Sequence, residues 1–106
     1  PYFISIPKNE LMFFGGIWRQ EIKNNIKTNV ACIITKEANE NLSKIHSRMP
    51  LIMSYNEGLE FLNDNDNKFL ENNKSVVEED IDYFPVSKNV NNPKNNDENC
   101  IKEINL

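Results

Sequence analysis

A chain of 106 residues with a net charge of −4 has room for one domain and excludes a broad basic surface that tracks a nucleic-acid backbone, though a small cationic patch stays compatible with it. Apolar residues make up 39%, below the usual globular share, and they thin out in the second half, so a small core is expected from residues 1–62. No run approaches the roughly 18 apolar residues of a membrane-spanning helix, and Cys32 and Cys100 lie far apart without metal-site spacing, so they read as free thiols of a cytoplasmic protein.

Pro1 leads directly into an alternating pattern with no initiator Met and no signal-peptide pattern, so the sequence is expected to be a piece of a longer protein or one half of an assembly. Tyr2–Ile6 is predicted as a strand, followed by a turn over 7–10. Leu11–Trp18 is a second, wholly apolar strand, within which Gly15 and Gly16 mark a bulge or a close backbone approach. Gln20–Thr28 reads as a polar loop and Asn29–Thr35 as a buried strand, which makes Cys32 buried and inert.

Thr35 is then expected to N-cap a helix, with Glu37 in its first turn and Ala38, Leu42 and Ile45 along one stripe. Glu40 and Lys44 pair on its outer face, and it ends near His46, before Pro50. Leu51–Met53 is a short strand, Asn56–Leu62 a short helix and Tyr83–Val86 a last strand. Residues 63–80 are polar, with Phe69, Leu70, Val76 and Val77 as anchors; 87–106 is a loop and tail.

Most chemistry-bearing patterns are missing. There is one histidine and no paired metal-ligand motif, and the acidic residues Asp64, Asp66, Glu78, Glu79 and Asp80 lack calcium-loop spacing and read as a solvated face. Gly15–Gly16 fits no phosphate-binding loop. Cys100, amid acidic neighbours, is a poor nucleophile. Thr35, His46, Arg48 and Trp18 remain. An imidazole beside a guanidinium, in IHSRMP at 45–50, supports acid–base chemistry on an anionic substrate. A straight helix from Thr35 to His46 would hold the two about 16 Å apart.

Taken in order, the whole chain resembles the C-terminal half of the SOS response-associated peptidase (SRAP) family. PYFI at 1–4, FFGGIWR at 13–19, ACIITKEAN at 31–39, IHSRMP at 45–50 and VSKNVNNPKNNDENCI at 86–101 parallel the family's PYYI, FAGLWE, TIITTEAN, IHDRMP and closing VS..VN...ND...CI patterns. The resemblance implies an α+β fold, mainly antiparallel strands with two short helices, forming half of an open, barrel-like structure. It implies protection of abasic sites in single-stranded DNA, through a thiazolidine formed by an N-terminal Cys, and an associated autopeptidase activity.

By resemblance, His46 is the acid–base catalyst, Arg48 approaches the DNA backbone and Thr35 borders the pocket, contributing to DNA binding. No cofactor, metal or membrane is implied. The family's Cys, and its Asn and Glu from the N-terminal half, have no counterpart here, so the chain alone should not crosslink and a complementary N-terminal chain is a candidate partner. Ser47 and Arg19 replace acidic residues of the family pattern. Two other readings stay open: a catalytically dead interaction piece, and an unrelated small binding module, the latter favoured if His46 and Arg48 face away from any concave surface.

Overall fold

The computed structural model describes residues 1–63 and 75–106, so Asp64, Asp66, Phe69 and Leu70 lie outside the described residues. Among those described, the strands pair as four two-stranded antiparallel ladders with one α-helix, the expected α+β class; no ladder closes into a barrel. The chain divides into two compact units, Pro1–Glu10 with Asp80–Leu106, and Leu11–Glu79.

In the first unit, β1 (Tyr2–Ser5) pairs with β8 (Asp82–Pro85), setting Phe3 opposite Phe84. The Phe3 and Phe84 rings lie 5.4 Å apart, and Tyr2 meets Tyr83 edge-on at 5.6 Å. Such cross-strand aromatic pairs contribute about 0.2–1 kcal/mol each. Ile6, Ile81 and Val86 are buried beside them. The C-terminal segment is tied back by the Ile104 N–H to the Pro85 carbonyl at 3.0 Å and by a bridge between Val86 and Glu103.

The second unit is built on three longer strand paths that exchange partners at one point. β2 (Phe13–Phe14) pairs with β7 (Ile52–Met53), β3 (Gly16–Lys23) with β4 (Ile26–Ile33), and β5 (Thr35–Glu37) with β6 (Arg48–Pro50). Gly15, Ile34 and Leu51 are the residues between successive ladders. Gly15 N–H donates to Leu51 O at 2.8 Å, Leu51 N–H to Ile34 O at 2.9 Å, and Ile34 N–H to Gly15 O at 2.9 Å. This closed ring satisfies backbone groups that would otherwise be stranded where each strand changes partner.

Leu51 is fully buried at the ring, among Leu42, Met49, Ile52 and Met53. A Cβ on Gly15 would stand 2.8 Å from Leu51 Cδ2 and 3.2 Å from Met53 Cε, so the close approach anticipated for the glycine pair is real. Gly15→Ala is expected to cost about 1–3 kcal/mol through overpacking, read as a lower urea midpoint with unchanged slope.

Three sequence expectations change here. Gln20–Thr28 is not a loop: β3 and β4 run as an eight-pair hairpin around Asn24–Asn25, both at positive φ, a conformation that Asn tolerates in tight hairpin turns. Nor is the 29–35 strand buried. A two-stranded ribbon has no layer on either face, so Ile17, Trp18, Ile22, Ile26 and Ile33 are each more than half exposed; Cys32 is exposed rather than buried. Finally, the helix expected from Thr35 to His46 is absent. Thr35–Glu37 is drawn into the ladder with β6, and only Leu42–Lys44 makes a 3-10 turn. The Asn39 side chain takes the Leu42 N–H at 2.9 Å, a local competition that favours turns over helices.

The α-helix α1 (Tyr55–Leu62) begins at a capping box: Ser54 Oγ accepts the Glu57 N–H, and Glu57 Oε1 accepts the Ser54 N–H. The same carboxylate accepts from the Ser75 hydroxyl at 2.7 Å and the Val76 N–H at 3.2 Å, tying that later segment to the start of the helix. Burial pushes the Glu57 carboxyl up, but the Ser54 N–H, the Ser75 hydroxyl, the Val76 N–H and the Ser54 hydroxyl outweigh it and hold the group below its ordinary value. The unfolded chain therefore binds this proton at higher pH than the folded one. The resulting stability is complete above the ordinary glutamate value, about 4.3, and is lost as pH falls through the folded value. Glu57→Gln should be less stable than the parent near neutrality, with the gap between their urea midpoints closing on acidification.

Glu78 also departs from the solvated acidic face expected for it. It is buried, and its Oε1 forms an ion pair with Lys36 Nζ.

Candidate functional site

The β5–β6 register is Thr35 with Pro50, Lys36 with Met49, and Glu37 with Arg48. Opposed residues share a face and successive residues alternate, so this ladder separates two environments. Lys36 and Met49 turn inward, Met49 being 2% exposed and Lys36 meeting Glu78. Thr35, Glu37 and Arg48 turn to the open face, and all three are exposed.

The loop between the strands sets the imidazole beside them. Ala38 N–H donates to Ser47 O at 3.0 Å, extending the ladder, and the N–H groups of Ile45 and His46 both donate to Leu42 O at 3.0 Å. Buried Leu42 anchors the turn from below. Asn39 braces it further, its Nδ2 donating to Glu78 O at 3.1 Å. His46 emerges from this braced turn, and its Nδ1 accepts the Arg48 N–H at 3.0 Å. Arg48 Nη2 donates to Thr35 Oγ1 at 3.2 Å. Three of the four residues singled out in the sequence, Thr35, His46 and Arg48, thus form one hydrogen-bonded chain, which the missing helix would have prevented.

The electrostatics separate the two arginines. Arg19 Nε donates to Glu21 Oε1 at 2.9 Å, so its charge is locally neutralised. Arg48 is held by a neutral hydroxyl and, among the described residues, has no ion-pairing carboxylate. Its guanidinium therefore keeps its charge and its remaining donors for an anion on the open face. Trp18 does not join this group: it lies on β3 opposite Ala31 and is 72% exposed.

Clefts of about 400, 260 and 320 Å3 are lined, respectively, by Asn39 with Lys44 and Glu79, by Trp18 with Cys32, and by Phe13 with Tyr55 and Leu59. None of these three includes Thr35, His46 or Arg48. No group of three or more His, Cys, Asp or Glu among the described residues is placed to hold a metal, and no helix there is long and apolar enough to cross a membrane.

Sequence reasoning missed Glu57, although Ser54-Tyr55-Asn56-Glu57 carries the capping-box signature. It also missed Asn39 as the brace of the His46 loop. Nothing in the local sequence pairs Lys36 with Glu78, which the chain brings together only by folding.

Residues 1–93 match the SOS response associated peptidase (SRAP) family. The chain is 32% identical over 108 residues to the abasic site processing protein YoqW of Bacillus subtilis (strain 168), a match covering 96% of this chain and 47% of that protein. It is 31% identical over 100 residues to the abasic site processing protein YoaM of the same strain, covering 91% and 44%. A crystal structure of a protein from Bacteroides thetaiotaomicron shares its fold with a TM-score of 0.81 at 18% identity, over 98% of this chain and 48% of that one. The chain spans about half the length of the relatives it matches. A match across 93 residues, with the IHSRMP histidine and arginine hydrogen-bonded on one face, is not a chance meeting of motifs: the chain belongs to the SRAP family.

Proposed function

We propose that this chain forms the His46-bearing half of a protein that binds single-stranded DNA and processes abasic sites in response to DNA damage. The observation that carries this reading is the hydrogen-bonded series Thr35–Arg48–His46 on one exposed face. Arg48, fixed by the Thr35 hydroxyl, offers a free cation to a DNA phosphate. His46 lies two residues away, where its outward nitrogen exchanges protons with the sugar of the same nucleotide.

The remaining chemistry belongs to the half of the fold that the relatives carry beyond the matched region. There an N-terminal Cys condenses through its amine with the ring-opened deoxyribose aldehyde, losing water to form an imine. Its thiol then adds across the C=N bond, closing a thiazolidine with the proton passing to nitrogen. An autopeptidase activity that frees this Cys accompanies the reading, and the setting is cytoplasmic. Support for a second half also comes from the β3–β4 ribbon, whose two faces both present large apolar side chains.

The test combines this chain with the N-terminal half of a family relative and single-stranded DNA bearing one abasic site. A heat-stable adduct that requires both halves supports the proposal. Stable association of the halves without an adduct favours the alternative, an interaction piece without chemistry of its own.

A further inference from the structure

The His46 ring is anchored through one nitrogen by both backbone groups of one residue. Nδ1 accepts the Arg48 N–H at 3.0 Å and stands 3.1 Å from the Arg48 carbonyl oxygen. The two contacts ask for opposite states of that atom. An N–H donor needs a bare lone pair on Nδ1, which a neutral ring protonated at Nε2 provides. A carbonyl needs a proton on Nδ1, which the imidazolium provides, as does the neutral ring protonated at Nδ1.

We propose that the Arg48 backbone is a two-way anchor that keeps the His46 ring in one orientation in all its protonation states, so that Nε2 is always the nitrogen presented outward. The inference rests on the reading of His46 as the acid–base group and assigns Arg48 a second duty, positioning through its main chain rather than its side chain. A histidine anchored by a single N–H donor loses that partner on gaining a proton, and one anchored by a single carbonyl loses it when the neutral ring takes the Nε2–H form. Here the ring exchanges one Arg48 partner for the other without moving. As imidazolium it gives the Nε2 proton to a developing sugar oxygen while Nδ1–H rests on the Arg48 carbonyl. The neutral ring left behind keeps that same bond, and its bare Nε2 takes a proton back in a later step. With its proton on Nε2 instead, the neutral ring is a fixed donor, held by the Arg48 N–H. The anchor itself is uncharged. The charged side chains on the flanking elements are the Arg48 guanidinium, Glu37 opposite it on β5, Lys36 on the reverse face of β5 where it pairs with Glu78, and Lys44 in the preceding turn.

His46 is the only histidine of the chain, so its imidazole resonances need no assignment. The experiment is a pH titration of the imidazole-15N-labelled 106-residue chain, without DNA, following nitrogen shifts and the nuclear Overhauser contacts that report ring orientation. The expected result is one unchanged set of ring contacts through the whole titration. Arg48→Ala keeps both backbone groups, so its His46 ring should keep the parent's contacts through the titration even though the guanidinium is gone. Arg48→Pro removes only the N–H from the anchor; its ring should hold its orientation as imidazolium, while the neutral ring shifts to the Nδ1–H form or loses its fixed contacts. A parent ring that changes orientation on titration, or whose two nitrogens show the averaged signature of a freely rotating imidazole, overturns the proposal with no variant needed. Because no DNA is present, the two readings separate: a fixed ring in this chain, with no adduct formed once the N-terminal half of a relative and abasic DNA are added, would sink the functional reading and leave the anchor standing.

Discussion

Replacing Lys36 with methionine should lower the stability of the Leu11–Glu79 unit by about 3–5 kcal/mol, the usual cost of leaving one member of a buried ion pair without its partner. The Glu78 side chain is 4% exposed and that of Lys36 13%, so water cannot take over as the partner of the orphaned carboxylate. The double variant Lys36→Met with Glu78→Leu should recover most of the loss, because it removes the buried charge as well as the attraction that compensated it. Urea midpoints of the parent, both single variants and the double variant decide the matter. Equal losses in Lys36→Met and the double variant would mean that packing of the Lys36 stem against the ladder, and not the charge, is what matters. The pair lies on the reverse of the strand that carries Thr35. A loss of function in a Lys36 variant would therefore be a folding effect, and a melting curve would show it.

In a protein completed by the N-terminal half, His46→Ala should slow crosslinking by about a hundredfold or more, the range typical of a lost acid–base group. Its affinity for single-stranded DNA should hardly change. Arg48→Ala should do the reverse, weakening binding and flattening the dependence of log affinity on log salt by about 0.7, the contribution of one phosphate contact on a single strand. Measuring melting temperature, affinity and rate on the same samples separates chemistry from packing. A His46→Ala protein that loses stability, affinity and rate in step would show the ring to be a structural plug.

The sequence carried the fold class better than the course of the backbone within it. Thr35, His46 and Arg48 were singled out because their residue types and order match a family pattern, and the structure joins all three by hydrogen bonds. The backbone that joins them was misread. Ala38, Leu42 and Ile45 have helical spacing, yet the spacing is met by a braced turn in which Leu42 alone is fully buried. Asn39 and the β5–β6 pairing decided that outcome, and a strand pairing depends on residues distant in sequence. The Asn24–Asn25 hairpin was missed for a different reason: the flanking Ile22 and Ile26 are isolated among polar residues, so the alternation looked like a loop. Tyr2–Ser5, Ile52–Met53, Tyr55–Leu62 and Asp82–Pro85 agree closely with the predicted elements, since each carries a compact local signal. Burial was least legible. Apolar runs are read as core, and Ile17, Trp18 and Ile33, more than half exposed, show that such a run need not be buried within its own chain.

The ring of hydrogen bonds through Gly15, Ile34 and Leu51 also bears on how the unit comes apart. Ladders stacked side by side can fray one at a time from an edge. Three ladders that trade partners at a common point cannot, because freeing any one of these residues strands a carbonyl on a second path and an N–H on the third. Local opening is thereby confined to the ladder ends, such as the Asn24–Asn25 tip, while solvent exchange at the three ring amides awaits cooperative opening of the whole unit. The outer end of the β5–β6 ladder, where Arg48 and His46 lie, can then move without loosening the centre that holds its inner end.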